Sequence, residues 1–441
     1  MRTLSLACAV GLWCVACGND DGSQSAALTP AGGSGNGNVA GAAVSGGSSS
    51  GGGSAPSSGG SINGGSSSNE AGKPSGGTPV MPPPMVNDCN GLAEPGVFEE
   101  ITPAEVKIAI GQKAPDGQVK GGPFAMAVDP VNQGTVYSGT LLQGVWKTTD
   151  CGSTWTKLDS GMNGADVNRG MNWTFEVDPF APDTVYTNSG YGSNGLFKST
   201  DGGKNWTDIW SAASQPELGK AFQYNFANTI ALDPEDGRHL LLTFHEGCLP
   251  PNPSTCIVES FDAGGSWKVI GGKEGWNGGE GQVIFFLDTP TTWLWGSQNN
   301  GFWRTPDSGK TWEQVPKMAT SHLQGTRLLH AKDGSFYVPA GDGVWRSPDG
   351  KADTWTLIEG TGPISGSIVS DGTNMYTSTC YAGGFCDQAR YLTSPESDGK
   401  SWTELPNVPK IPMGGNLGYD SGHKLLFSSN LTSGLWRVRV P

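Results

Sequence analysis

The chain has 441 residues, with Gly 69, Pro 30, Lys+Arg 27, Asp+Glu 41 and a formal net charge of −14. So much Gly and Pro beside only 15% charged residues excludes a long solvent-facing helical array, while 16 Trp leave material for a large core. An acidic, Arg-poor chain repels phosphate backbones, so no nucleic-acid partner is expected. Beyond the N-terminus no apolar run approaches the ~20 residues of a membrane span.

Arg2 is followed by an apolar run from Leu4 to Ala16 that ends in small residues before Cys17. It is too short to cross a bilayer and reads as an export signal over residues 1–16. The stretch "CVACGND" resembles a bacterial lipoprotein cleavage box, with Val15, Ala16 and Cys17 in the last three places of that box and Cys14 where Leu is usual. The resemblance implies a lipid on Cys17, contact with a membrane through that anchor, and a place at the bacterial cell envelope, outer membrane or surface. Plain secretion is the alternative.

From Cys17 to residue 88 the chain is Gly, Ser, Ala, Asn and Pro with hardly any charge. Such a segment cannot bury enough apolar area to offset ordering entropy, and it reads as a flexible tether that stiffens at Met81 to Met85, "MPPPM". Of the nine Cys, Cys8 and Cys14 fall in the signal and Cys17 at the lipid site, which leaves six. Cys248 with Cys256 and Cys380 with Cys386 are near pairs; Cys89 and Cys151 remain to pair with each other. An even remainder in an exported chain favours three disulfides. No CxxC or His-rich spacing points to zinc, so neither metal nor cofactor is expected.

The remainder, 89–441, repeats itself. "GVWKTTDCGSTW" ends at Trp155, "GLFKSTDGGKNW" at Trp206, "CIVESFDAGGSW" at Trp267 and "GFWRTPDSGKTW" at Trp312. "GVWRSPDGKADTW", ending at Trp355, has one inserted residue; "YLTSPESDGKSW", ending at Trp402, is degenerate; "GLWRVRV" from Gly434 repeats only the first part. The shared pattern is Ser/Thr-x-Asp-x-Gly-x-x-Trp. It makes physical sense as a hairpin clamp: the Asp accepts hydrogen bonds from turn amides, the Gly takes a positive φ, and the Trp packs between neighbouring sheets. Asp150, Asp201, Asp262 and Asp307 are therefore expected to be structural. Ahead of each turn lies strand, Asp-Pro turn, strand, as in "AMAVDPVNQGTVYSGT", with Asp129, Asp178 and Asp233 in the turns.

This pattern resembles the Asp-box, or bacterial neuraminidase repeat, of the propeller domains of sialidases, xyloglucan-cleaving glycosidases, sortilin-type receptors and photosystem assembly factors. Four strands per unit of roughly 50 residues is propeller arithmetic. Third strands near Gly144, Gly195, Ile257, Phe302, Val344, Tyr391 and Leu435 predict an all-β, seven-bladed β-propeller. The last unit lacks an outer strand, and "GVFEEIT" (Gly96 to Thr102) is expected to supply it, closing the ring.

In such a ring the 1–2 and 3–4 turns share one face, and the 2–3 loops and blade-to-blade connections share the other. The irregular segments fall on the second face, where function is expected. Candidate ligand contacts there are Arg169, Tyr224, Trp276, Asn299, His322, Arg327 and Tyr381. Aromatic rings and amides with few cations suit neutral or lightly charged sugars.

Enzyme readings meet specific obstacles. Sialidases carry a Phe/Tyr-Arg-Ile-Pro element and an arginine cluster; this chain lacks that element, which disfavours sialidase activity. Xyloglucan-cleaving propeller enzymes place a catalytic Asp in Thr-Asp-Val-Gly-Gly before the first blade's third strand and a second Asp on a second propeller. In "TLLQGVW", Thr140 and Gly144 align with that motif but Leu141 takes the Asp place. A different pair drawn from Asp166, Glu246 and Glu280 would serve a hydrolase as acid and base. A lyase would use His245 or His322 as base, with Tyr224 and Arg169 nearby. The leading expectation is a lipid-anchored, monomeric propeller that binds a glycan. The alternatives are a polysaccharide-degrading hydrolase or lyase at the same face, and an envelope assembly scaffold.

Overall fold

The computed structural model describes residues 79–108, 121–193, 195–211, 214–216, 226–245, 247–248, 255, 257–276, 281–298, 300–318, 325–362, 366–379, 388–412 and 414–441. Within them, short runs rich in β-branched and aromatic residues alternate with Asp, Gly and Pro turns, and each group of four runs folds into one antiparallel sheet. Blade 1 is Gly121–Val128, Val136–Leu141, Val145–Thr148 and Thr156–Lys157. Blade 2 is Phe175–Val177, Val185–Asn188, Leu196–Ser199 and Thr207–Trp210. Blade 3 starts at Ala227–Asp233, blade 4 at Val283–Phe286, blade 5 at Leu329–His330 and blade 6 at Val369–Ser370. Blade 7 is Asn416–Asp420, Leu425–Ser429, Leu435–Arg439 and, from the other end of the chain, Phe98–Glu100. The fold is an all-β, seven-bladed propeller.

The core is a ring of wedges, one between each pair of neighbouring blades. Blades 3 and 4, for example, meet through Leu241, Ile257, Ile284, Phe286, Trp293 and Trp295; blades 7 and 1 meet through Leu425, Phe427, Leu435, Met126 and Val136. Strands sandwiched between two wedges are buried on both faces, as at Trp293–Ser297, whereas the outer strand Glu313–Gln314 is exposed. This is why the strand sequences read as continuous apolar runs rather than as alternation.

The repeated turns have one geometry. In the first, Thr148 Oγ1 donates to Asp150 Oδ1 at 2.7 Å, Gly152 N donates to Thr148 Oγ1 at 2.9 Å, and Thr154 N and Oγ1 donate to Asp150 at 2.8 and 2.6 Å. The same set recurs around Asp201, Asp262 and Asp307. Burial alone would raise these carboxyls, but the hydrogen bonds from turn amides and hydroxyls hold them below the usual carboxylate range. Trp155 and Trp267 donate from Nε1 to Ile101 O and Ile209 O, tying each turn to the preceding blade.

Ring closure follows the expected route. Phe98–Glu100 pairs antiparallel with Leu435–Arg439. Arg437 reaches Glu99 at 2.9 and 3.1 Å and donates to Cys151 O at 2.8 Å. Cys89 and Cys151 form a disulfide with a Cα–Cα distance of 5.6 Å. His423 lies against this latch, its Nδ1 3.0 Å from Asp420 and its Nε2 2.8 Å from Asn87 O. Cys248 is also disulfide-bonded; Cys17, Cys256, Cys380 and Cys386 lie outside the described residues.

Candidate functional site

The site is built on the face that carries the 2–3 loops, where the connection from blade 1 to blade 2 interlocks with the 2–3 loop of blade 2. The connection contains one helical turn, Gly164–Val167. Asn168 pins it to blade 1, accepting from Val145 N at 2.7 Å and donating to Leu158 O and Gly164 O at 2.8 and 2.7 Å. Ser189 Oγ and Ser193 Oγ then donate to Asp166 O at 3.0 and 2.9 Å, and Gly170 N donates to Ser189 Oγ at 3.1 Å. Met171 and Gly190 exchange backbone hydrogen bonds. Glycine is required at 190 and 192: a Cβ would lie 2.5 Å from Phe226 Cε2 at the first and 2.6 Å from Gly170 Cα at the second.

Asp166 and Arg169 form an ion pair at 2.7 Å, exposed to solvent on both sides. Between the two glycines sits Tyr191, in the left-handed region at φ 54. Its hydroxyl shares a 3.1 Å hydrogen bond with His245 Nε2 from blade 3. His245 is buried, stacks on Phe226 at 4.7 Å and 21°, and donates its backbone N–H to Phe226 O. Tyr191 meets Phe226 edge-on at 4.8 Å and Trp173 at 6.4 Å, and Trp173 meets Phe124 at 5.0 Å. The structure therefore pairs Asp166 with Arg169 on one loop and pairs His245 with Tyr191 of the loop that interlocks with it; Tyr191 is not among the residues expected from the sequence.

Two expected ligand contacts have other duties. Trp276 is buried, stacked on Trp295 at 4.0 Å and 9° and flanked by Trp303 and Trp312. Its large apolar area goes into the wedge between blades 3 and 4 rather than into a platform for a sugar. Arg327 crosses the ring from the lead-in of blade 5 to blade 2, donating to Glu176 Oε2 at 2.8 Å and Phe175 O at 2.6 Å. Burial pushes the Glu176 carboxyl up and the Arg327 guanidinium opposes the shift. Below this pair a cavity of about 290 Å³ opens on the opposite face, walled by Val128, Pro130, Pro179 and Pro234. Glu246, Glu280, Tyr224, Asn299, His322 and Tyr381 lie outside the described residues.

Leu141, at the place of the catalytic Asp in the xyloglucan-cleaving pattern, is buried and bridged to Met171. Among the described residues one grouping has metal-ligand residue types, Cys89, Cys151 and His423, and its sulfurs are joined to each other. Away from the site, His239 is buried between Asp233 at 2.7 Å and Glu259 at 3.1 Å. Burial works against its charge, yet the two carboxylates raise its pKa above the ordinary value.

No family model matches the chain. A xyloglucanase of Paenibacillus sp is 26% identical over 258 residues, 52% of this chain and 24% of that protein. Among solved structures, the GH74 enzyme of Niastella koreensis superposes with a TM-score of 0.52 at 16% identity, covering 72% of this chain and 52% of that one. The GH74 xyloglucanase of Xanthomonas campestris superposes with a TM-score of 0.50 at 19% identity, covering 78% and 53%. The chain spans about a quarter of the length of the Paenibacillus xyloglucanase; in sequence it is similar to part of a xyloglucanase, and in fold to the propellers of such enzymes.

Proposed function

We propose that this protein acts on a neutral glucan of the xyloglucan class, cleaving it at the face that carries Asp166, Arg169, Tyr191 and His245. The observation that carries this reading is the interlock of the 164–171 and 189–193 loops, which ties the loop of an exposed, ion-paired carboxylate to the loop of a half-buried phenol backed by a buried imidazole. The likeness to xyloglucanases supports the substrate class. Charge points the same way: the chain carries −14, and Arg169 already holds Asp166, so a polyuronate is opposed rather than attracted. Cleavage would pair Asp166 with Glu246 or Glu280 as acid and base.

A second reading, binding without cleavage, is favoured by Leu141, which leaves an apolar, buried side chain at the place of the family's catalytic Asp. The repeated turns are read as Asp-boxes. The chain is read as an exported monomer held at the envelope by a lipid on Cys17, with the following residues to 88 as its tether.

One experiment separates these readings. The protein is incubated with xyloglucan and mixed-linkage β-glucan, and new reducing ends are measured for wild type, Asp166→Asn, Glu246→Gln and Glu280→Gln. Product that disappears in one variant supports the hydrolase. Retardation in xyloglucan-containing native gels without product supports binding alone. Neither result on either polymer rejects both.

A further inference from the structure

Tyr191 has an unusual set of constraints. A bulky aromatic residue is costly at positive φ, and such strain persists only where the surroundings over-determine it. Here they do. Gly190 and Gly192 fix the backbone on either side by close approach to Phe226 and Gly170, and edge contacts with Trp173, Phe226 and His245 fix the ring. His245 is itself immobilised by its stack on Phe226 and its backbone bond to Phe226 O. The hydroxyl is thus aimed by a buried imidazole, while the Tyr191 side chain is only partly buried and lies beside the loop that presents Asp166 and Arg169.

Resting on the glucan reading above, we propose that Tyr191 is a sugar-contacting residue and His245 its positioning residue. When the phenol donates to Nε2, its oxygen offers lone pairs to a sugar hydroxyl. When Nε2 carries the proton, the phenol donates its own O–H to a sugar oxygen. Either arrangement serves the alternating donors and acceptors of a neutral sugar, and neither supplies a cation for a carboxylate. The aromatic surround excludes water from one side of the hydrogen bond, which gives the pair its directional hold.

The test is a double-mutant cycle on the intact protein, with a xyloglucan oligosaccharide as probe and calorimetric Kd as readout, alongside KM and kcat on the polymer. Tyr191→Phe keeps the ring and removes the hydroxyl; losing one hydrogen bond is expected to weaken binding about tenfold and to raise KM more than it lowers kcat. His245→Ala is expected to weaken binding similarly, and His245→Gln, which keeps a partner for the hydroxyl, to recover most of it. The double variant Tyr191→Phe/His245→Ala is expected to be no weaker than Tyr191→Phe alone, because the imidazole acts through the hydroxyl. Tyr191→Phe with wild-type Kd and KM on an active protein overturns this assignment and leaves the glucan reading standing. Penalties that add in the double variant overturn the positioning role of His245. A wild type that neither binds nor cleaves any glucan sinks the glucan reading, and this assignment with it. If His245→Ala does not fold, Tyr191→Phe and His245→Gln decide between the same outcomes.

Discussion

On the turn-bearing face, Asp150, Asp201, Asp262 and Asp307 each make the same hydrogen bonds to residues two to four positions away. On the loop-bearing face, Asp166 points its carboxylate at Arg169 and solvent, while its backbone carbonyl accepts from Ser189 and Ser193 of blade 2. The same residue type is locally satisfied in one place and presented in the other. Repetition marks residues that hold the ring, whereas departure from repetition covers both the loops proposed to meet a ligand and structural residues such as Trp276 and Arg327. The closure and the axis extend the contrast: there the contacts are long-range in sequence and structural in effect.

This division can be broken by experiment, beginning with the closure. Cys89→Ser/Cys151→Ser removes a cross-link spanning 62 residues and is expected to lower the unfolding free energy by about 4 kcal/mol, read by urea unfolding with glucan binding retained. Next is the axis. Arg327→Ala leaves Glu176 without its partner; with both groups only partly buried, a loss of about 2.5 kcal/mol is expected, and Glu176→Leu/Arg327→Leu should be milder than the single change. If Arg327→Ala instead weakened glucan binding at unchanged stability, the residue would belong to the ligand face after all. Asp262→Ala should cost about 1.5 kcal/mol and leave ligand affinity unaltered, whereas Asp166→Asn should change activity and leave the unfolding midpoint in place. An effect of Asp262→Ala on affinity would contradict the division of labour between faces.

The smallest expected effect is a pH slope. His239 binds its proton more tightly folded than unfolded, so its contribution is fully present below the unfolded pKa and is lost as pH rises through the raised folded value. The unfolding midpoint should therefore decline on the alkaline side of about pH 6.5, and His239→Gln should flatten that decline. The turn aspartates act at the other end. Their lowered carboxyls stabilise the fold above the usual Asp range and lose that contribution as pH falls through the lower folded values.

The ring is legible in the chain because its rules are local. A Ser/Thr, an Asp and a Gly at fixed offsets are what this turn needs, so the repeat, the blade number and the closing strand at Phe98–Glu100 can all be read before any packing is known. Cys89 and Cys151 are the two left over once the near pairs in sequence are set aside, and the structure joins them. The site is only partly legible, because its contacts join distant residues. Trp276 sits in a Gly-rich stretch that looks like a surface loop, and only the approach of Trp295, Trp303 and Trp312 shows it to be core. Arg327 meets Glu176 across 151 positions. Tyr191 hides in "SGYGSNG", which has the composition of an ordinary turn; its one signal is a bulky residue between two glycines. The loop position of His245 makes it a candidate in the sequence, but nothing local points to its partner 54 residues away.

The latch has a mechanical consequence. Any pull on the chain ahead of residue 79 enters the propeller through Met85–Val86, which pairs with Asn132–Gln133, and then reaches Cys89 before it reaches Phe98–Glu100. The disulfide diverts that load into blade 1 at Cys151, in the turn that Arg437 of blade 7 also grips. Tension therefore bypasses the three-residue strand that closes the ring, and with the disulfide reduced the same tension would peel that strand directly from Leu435–Arg439.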